Sequence, residues 1–213
     1  MDSFSIVFVC TGNRFRSPLA EAFVRRLTLG LRVSVGSFGL LNLEESPALP
    51  EAVELARWCG IDLSRHRTKQ LGVEPLADID VVLGFEQSHV RQAVVDADAP
   101  RQHSFTFREL VGLLANVSPS SPHGPVARAR AALEGAAELR TATASRPDDI
   151  STPDPFGRSW KIYRETAEEI RTLAIALVAS LFGVSDTRGL PPLPPKLPRA
   201  KASFWWRAPS SRR

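Results

Sequence analysis

At 213 residues and 43% hydrophobic content, the chain is long enough for one well-packed domain with residues to spare, and no apolar run reaches the roughly 20 residues that cross a bilayer. The formal charge of +4 is uneven: from Val184 onward seven Lys/Arg stand against the single acid Asp186, leaving 20 basic and 22 acidic residues in the body before it. A near-neutral body gives a nucleic-acid role little electrostatic support, and two cysteines, Cys10 and Cys59, rule out a disulfide framework and fit a reducing, cytoplasmic compartment.

In chain order, Met1-Asp2-Ser3-Phe4 has no basic region ahead of an apolar core, so no secretory leader is expected. Phe4 to Val9 is a short continuous apolar run, as in a buried parallel strand. It ends in Cys10, and a tight loop, Thr11-Gly12-Asn13-Arg14-Phe15-Arg16, follows. Successive N–H groups in such a loop, backed by the positive end of a helix dipole, form a nest for a tetrahedral oxyanion. Gly12 and Asn13 suit left-handed backbone. Ser17 is expected as the N-cap and Pro18 as the first helical residue. A cysteine among these N–H groups and beside Arg16 is favoured as a thiolate, and the planar Arg16 fork matches two oxygens of a phosphoryl group.

The helix after the loop repeats Leu19, Ala22, Phe23 and Leu27 and stops near Gly30. A strand over Arg32–Phe38 comes next, then a helix over Pro47–Gly60 with Leu49, Val53, Ala56 and Cys59 on one face. Cys59 reads as a small core residue. A third strand is expected over Asp80–Leu83 and a helix over Gln87–Val95. A fourth strand near His103–Thr106 leads to a short helix over Phe107–Leu114. His89 and His103 are taken as surface or satisfied residues, since no other His or Cys stands at metal-ligand spacing; no metal or cofactor is expected.

The segment from about Asn116 to Arg146 combines loop chemistry with an alanine-rich helical pattern over Val126–Arg140, whose weak apolar face favours a surface position over a lid. Asp148–Gly157 is a proline-stiffened acidic loop. Ser159 precedes a long helix with Tyr163, Ala167, Ile170, Leu173, Ala174, Leu177 and Leu181 on its apolar face, ending at Gly183. The tail, 184–213, carries Pro191–Pro198 and the cluster Phe204-Trp205-Trp206-Arg207. It is expected to be disordered, with a docking peptide for a partner protein or an anchor at an anionic membrane surface as the alternatives. Strand–helix alternation implies an α/β fold: a single doubly wound domain over 1–183, its four-stranded parallel sheet flanked by helices in flavodoxin-like order, with the ligand at the carboxyl ends of the strands.

The run Cys10-Thr11-Gly12-Asn13-Arg14-Phe15-Arg16-Ser17-Pro18-Leu19-Ala20-Glu21 resembles the signature loop of the low-molecular-weight protein tyrosine phosphatases. Asp154-Pro155-Phe156 and the segment Gly60-Ile61-Asp62-Leu63-Ser64-Arg65-His66-Arg67 are also similar to that family, so the resemblance runs from about Ser5 to Phe182, interrupted by the 116–146 segment. It implies Cys10 as nucleophile, Arg16 as the phosphoryl clamp and Asp154 as general acid and base. Thr11, Gly12, Asn13, Arg14, Phe15, Ser17 and Phe156 would contact substrate, and His66 would brace the loop from behind. It implies action without cofactor on a phosphorylated protein, with a tyrosine kinase among the candidates; a monomer is expected.

Three positions depart from the family pattern. Arg14 stands where tyrosine-directed members carry an aliphatic residue and arginine-directed members a threonine. Phe15 replaces a second cysteine, and Gly36-Ser37-Phe38-Gly39 replaces a Ser-Ala-Gly-Thr-like turn. Phosphotyrosine is the leading substrate and phosphoarginine the alternative. A phosphoprotein-binding module with an impaired loop is the reading from a different class, and an arsenate reductase lacks its relay cysteines.

Overall fold

A computed structural model describes residues 3–118, 123–142 and 150–193. The elements are β1 (Phe4–Cys10), α1 (Arg16–Leu27), β2 (Val33–Gly39), α2 (Pro50–Trp58), β3 (Val81–Gly84) and α3 (Gln87–Asp96). After them come a 3₁₀ turn (Arg101–His103), β4 (Ser104–Thr106), α4 (Phe107–Leu114), α5 (Pro125–Ala142) and α6 (Trp160–Phe182). The four strands form one parallel sheet in the order β2-β1-β3-β4. This is the doubly wound α/β arrangement expected from the alternation of strands and helices. No helix among the described residues is long and apolar enough to cross a membrane.

Strand β1 is central because both of its faces are apolar. Phe4, Ile6, Phe8 and Cys10 point into the larger core with α1, α4, α5 and α6, while Val7 and Val9 point into a smaller core with Leu71, Leu76, Ala93 and Ala97. The period-two alternation thus sets Cys10 on the α1 side of the sheet. The register pairs Cys10 with Gly39, Val9 with Gly84 and Gly84 with Thr106, so the carboxyl ends of all four strands share one edge.

Four expectations need correction. Helix α1 begins at Arg16, so the cap position falls to Phe15, whose side chain has no acceptor, and Ser17 lies inside the first turn with its hydroxyl beside Cys10. Helix α2 is shorter than Pro47–Gly60. Pro50 sets its start, its buried face is Ala52, Leu55 and Ala56, and Leu49 and Cys59 flank its ends.

Within the 116–146 segment, helix α5 is not a surface appendage. Ala129, Ala132, Leu133 and Ala136 of α5 are buried in the main core, where small side chains let the helix approach α4 and α6 closely. The body also continues past Gly183. Leu190 and Leu193 are buried, the Leu193 N–H donates to Glu168 Oε2 at 3.0 Å, and Arg171 donates to Leu190 O at 3.0 Å. These two leucines anchor a segment whose prolines had suggested an extended tail. The expectations for residues 194–213, including Phe204-Trp205-Trp206-Arg207, and for Pro147 and Asp148, lie outside the described residues.

Candidate active site

The loop leaving β1 is built around the amide of Asn13. Asn13 is buried with φ 48°, the left-handed backbone that asparagine tolerates better than most side chains. Its Nδ2 donates to Ser17 Oγ at 2.9 Å and Ser37 Oγ at 2.8 Å, and its Oδ1 accepts from the Lys69 N–H at 3.0 Å. The His66 ring donates through Nε2 to the Asn13 carbonyl at 2.8 Å, and burial pushes the His66 pKa down, so the ring stays neutral near pH 7. The Ser37 hydroxyl in turn donates to Glu21 Oε2 at 2.6 Å. The carboxyl end of β2, Gly36–Gly39, therefore supplies a hydroxyl to the loop through Ser37. It also supplies clearance: a Cβ at Gly39 would lie 2.8 Å from the Asn13 nitrogen.

Ser17 Oγ lies 3.0 Å from Cys10 Sγ. Ser17 Oγ accepts from Asn13; either partner of the Cys10–Ser17 pair can donate, Ser17 being the donor when Cys10 is a thiolate, and Phe38 O is a longer acceptor for the hydroxyl at 3.4 Å. Thus three polar side chains in a row, Ser37, Asn13 and Ser17, lead to the thiol.

Arg16 is 1% exposed, and both ends of its guanidinium are occupied. Nη1 donates to Glu86 Oε1 at 2.6 Å and to the Thr152 carbonyl at 2.9 Å. Nη2 donates to Thr11 Oγ1 at 3.0 Å and to Asp154 Oδ2 at 2.5 Å. The Phe85 ring lies 5.7 Å beneath it. A buried cation between two carboxylates is compensated, not stranded.

Glu86 sits at the N-terminus of α3, where its N–H donates to His89 Nδ1 at 3.0 Å. That bond makes Nδ1 an acceptor, so the ring proton is on Nε2, which donates to Thr11 Oγ1 at 3.1 Å. Burial first, then the Arg16 charge, lowers the His89 pKa to about 4, which keeps this tautomer neutral. His89 is thus satisfied, as expected, but it stands against the loop and not at the surface.

The acidic loop reaches Arg16 from the far end of the chain. Asp154 is 39% exposed, and its second oxygen accepts from the Phe156 N–H at 3.1 Å. The Gly157 N–H donates to the Tyr163 hydroxyl at 3.2 Å. Phe156 is 67% exposed at the rim. Phe15 is different: it is buried and packs edge-on against Tyr163 at 5.0 Å, so its side chain faces the core and only its backbone remains toward the loop. Any contact of Phe15 with substrate is thus one for its backbone N–H. Arg14 is half-buried and donates to the Pro47 carbonyl at 2.9 Å. Burial raises the Cys59 thiol to about 11, which leaves it inert among core residues.

The structure therefore brings Cys10, Thr11, Asn13, Arg16, Ser17 and His66 together around one loop and adds Asp154 across Arg16. Sequence reasoning missed Glu86, His89 and Thr152. The available signal was positional: Glu86 and His89 follow the carboxyl end of β3, on the same sheet edge as Cys10.

Comparison with known proteins agrees with this geometry. Residues 5–117 match the family model for low molecular weight phosphotyrosine protein phosphatase. A protein-arginine-phosphatase of Bacillus subtilis (strain 168) is 30% identical over 178 residues, 83% of this chain and 95% of the relative. The low molecular weight protein-tyrosine-phosphatase Etp of Escherichia coli (strain K12) is 33% identical over 103 residues, 48% of this chain and 68% of the relative. The crystal structure of a low molecular weight protein tyrosine phosphatase from T. tengcongensis aligns with TM-score 0.62 and 31% identity, over 84% of this chain and all of that one. The loop, the parallel sheet that presents it and these matches together make the chain a member of the low molecular weight phosphotyrosine protein phosphatase family, a family of hydrolases.

Proposed function

We propose that the protein hydrolyses phosphomonoesters in phosphoproteins, phosphotyrosine foremost, through a cysteinyl-phosphate. The Cys10 thiolate attacks phosphorus, forming the S–P bond as the P–O bond to the leaving group breaks. Arg16 and the loop N–H groups hold the three equatorial oxygens, and their grip on the spreading charge supplies the largest share of the rate. Asp154 gives its proton to the departing oxygen. The ionised Asp154 then takes a proton from water as that water attacks phosphorus, the S–P bond breaks, and phosphate leaves with Cys10 restored as thiolate. The Ser17 hydroxyl, 3.0 Å from the sulfur, donates to it as negative charge returns.

The observation that carries this reading is the contact between Arg16 Nη2 and Asp154 Oδ2 at 2.5 Å, which joins the acid to the loop across 138 residues of sequence. A bound phosphoryl group competes for Nη2 and frees the carboxyl to face the leaving oxygen. A nucleophile that must stay a reduced thiolate favours the cytoplasm, and a phosphorylated protein, a tyrosine kinase among them, is the partner that such a site consumes.

A second reading, phosphoarginine, is favoured by the relative from Bacillus subtilis, whose match spans 95% of its length. Turnover of p-nitrophenyl phosphate, then of phosphotyrosine and phosphoarginine peptides, separates the readings. Turnover is expected in the native protein and is abolished by Cys10→Ser. Peptide binding without any turnover would make the protein a phosphoprotein-binding module instead.

A further inference from the structure

Thr152 is buried and tied on every polar atom. Its N–H donates to the Phe85 carbonyl at 2.8 Å, its carbonyl accepts from Arg16 Nη1 at 2.9 Å, and its hydroxyl donates to Glu169 Oε1 on α6. The same Glu169 oxygen accepts from Arg108 Nε of α4 at 2.7 Å. One residue thus joins the end of β3, the buried guanidinium and two helices of the core, and it lies two positions before Asp154.

Between this anchor and the acid stands Pro153, and Pro155 follows it. Proline fixes φ near −65° at each, so few soft torsions separate a fixed Thr152 from the Asp154 carboxyl. Asp154 itself is much less constrained: it is 39% exposed and has one side-chain partner, Arg16, which a phosphoryl group competes for. Once that partner is taken, the aim of the carboxyl depends on where its backbone starts.

From this geometry we infer that Thr152, held by Glu169 and Arg108, is the positioning residue that aims the Asp154 proton at the leaving oxygen. The inference rests on the reading of Asp154 as the acid. A packing residue would, when altered, weaken every function of the site alike. A residue that aims a proton affects the first step, S–P bond formation, only as far as the leaving group needs that proton: strongly for phenyl phosphate, weakly for p-nitrophenyl phosphate, whose phenolate departs readily unprotonated.

The test uses the full chain with Thr152→Val, which keeps the shape and removes the hydroxyl, and Thr152→Ser, which restores it. For Thr152→Val, kcat/KM, which reports the steps through S–P bond formation, is expected to fall about tenfold on phenyl phosphate and about twofold on p-nitrophenyl phosphate, while inhibition by inorganic phosphate stays within about twofold. Thr152→Ser should return near-native values. In an Asp154→Asn background the valine change should add nothing, because no proton is left to aim.

Equal losses on both esters, no loss, a parallel loss of phosphate inhibition, or full additivity with Asp154→Asn overturns the inference. Should Thr152→Val fail to fold, Glu169→Gln decides: it weakens the acceptor without emptying space and should show the same leaving-group bias at smaller size, and its absence is equally fatal. A native protein without turnover, or a Cys10→Ser variant that keeps it, defeats the reading of the whole site. A folded Thr152→Val with unbiased loss defeats this inference alone.

Discussion

The loop from Cys10 to Ser17 and the loop from Thr152 to Gly157 meet at Arg16, yet they are held in different ways. The first has a buried amide, Asn13, that ties Ser17, Ser37, Lys69 and, through its carbonyl, His66 into one network. The second is pinned at Thr152, and beyond that point it has a turn bond within the loop, the Tyr163 hydroxyl and one ion pair, with Phe156 exposed. The difference fits the chemistry proposed for the two loops. An oxyanion nest works only if its donors already point at one place, since reorganising them would use up the stabilisation they offer. An acid must instead face a leaving group that arrives with the substrate and departs before water comes in.

Truncating one residue in each loop gives the largest contrast. Asn13→Ala removes three side-chain hydrogen bonds worth about 1 kcal/mol each and leaves alanine in left-handed backbone at a further cost of about 1 kcal/mol, so a loss of about 4 kcal/mol is expected in urea unfolding. Asp154→Ala should cost only about 1 kcal/mol, because its side chain is partly exposed and Glu86 and the Thr152 carbonyl keep Arg16 paired. Activity should be lost in both. Equal stability losses would mean that the two loops are built alike.

A smaller effect concerns the support behind Thr11. His89 has its folded pKa lowered from 6.5 to about 4, so the folded state binds fewer protons than the unfolded state between these values. The stability tied to neutral His89 is therefore full above pH 6.5 and is lost as pH falls toward 4, by about 3 kcal/mol. Burial lowers the His66 pKa as well, and its contribution has the same sign. Urea unfolding of the native protein and His89→Gln from pH 7 to pH 4 isolates the term: the native protein should lose more stability than the variant. Parallel curves would take His89 out of the network.

What could be read from the sequence divides along the same line. The signature loop was legible because its parts are contiguous: Cys10, Asn13, Arg16 and Ser17 follow an apolar strand within one turn of chain. The α/β order was legible because strand and helix periods alternate. Glu86 and Thr152 were not, for they reach Arg16 across 70 and 136 residues, and only the sheet edge brings them there. Adjacency does not give side-chain direction: Phe15 lies between loop residues, but its ring packs against Tyr163 of α6. Helix α5 was misread because Ala129, Ala132 and Ala136 register weakly in a hydrophobic pattern, although small side chains are what allow close helix packing. The prolines after Gly183 concealed Leu190 and Leu193.

Arg14 is a charged side chain of the signature loop that this network does not absorb, and it makes the smallest and most specific prediction. Its Nε is spent on the Pro47 carbonyl, which holds the charge at the loop's rim without neutralising it. Phosphoarginine brings a cationic guanidinium next to its phosphoryl group, and phosphotyrosine brings a neutral ring. Two like charges about 7 Å apart at an effective dielectric near 20 repel by about 2 kcal/mol, and exposure to solvent reduces this to about 1. Arg14→Thr should therefore raise the ratio of kcat/KM for phosphoarginine over phosphotyrosine peptides by about five- to tenfold, with little change on p-nitrophenyl phosphate, which carries no such charge. An unchanged ratio would show that Arg14 does not set this preference, and would move the search for its determinant to the less constrained loop, where Phe156 is the exposed side chain beside the acid.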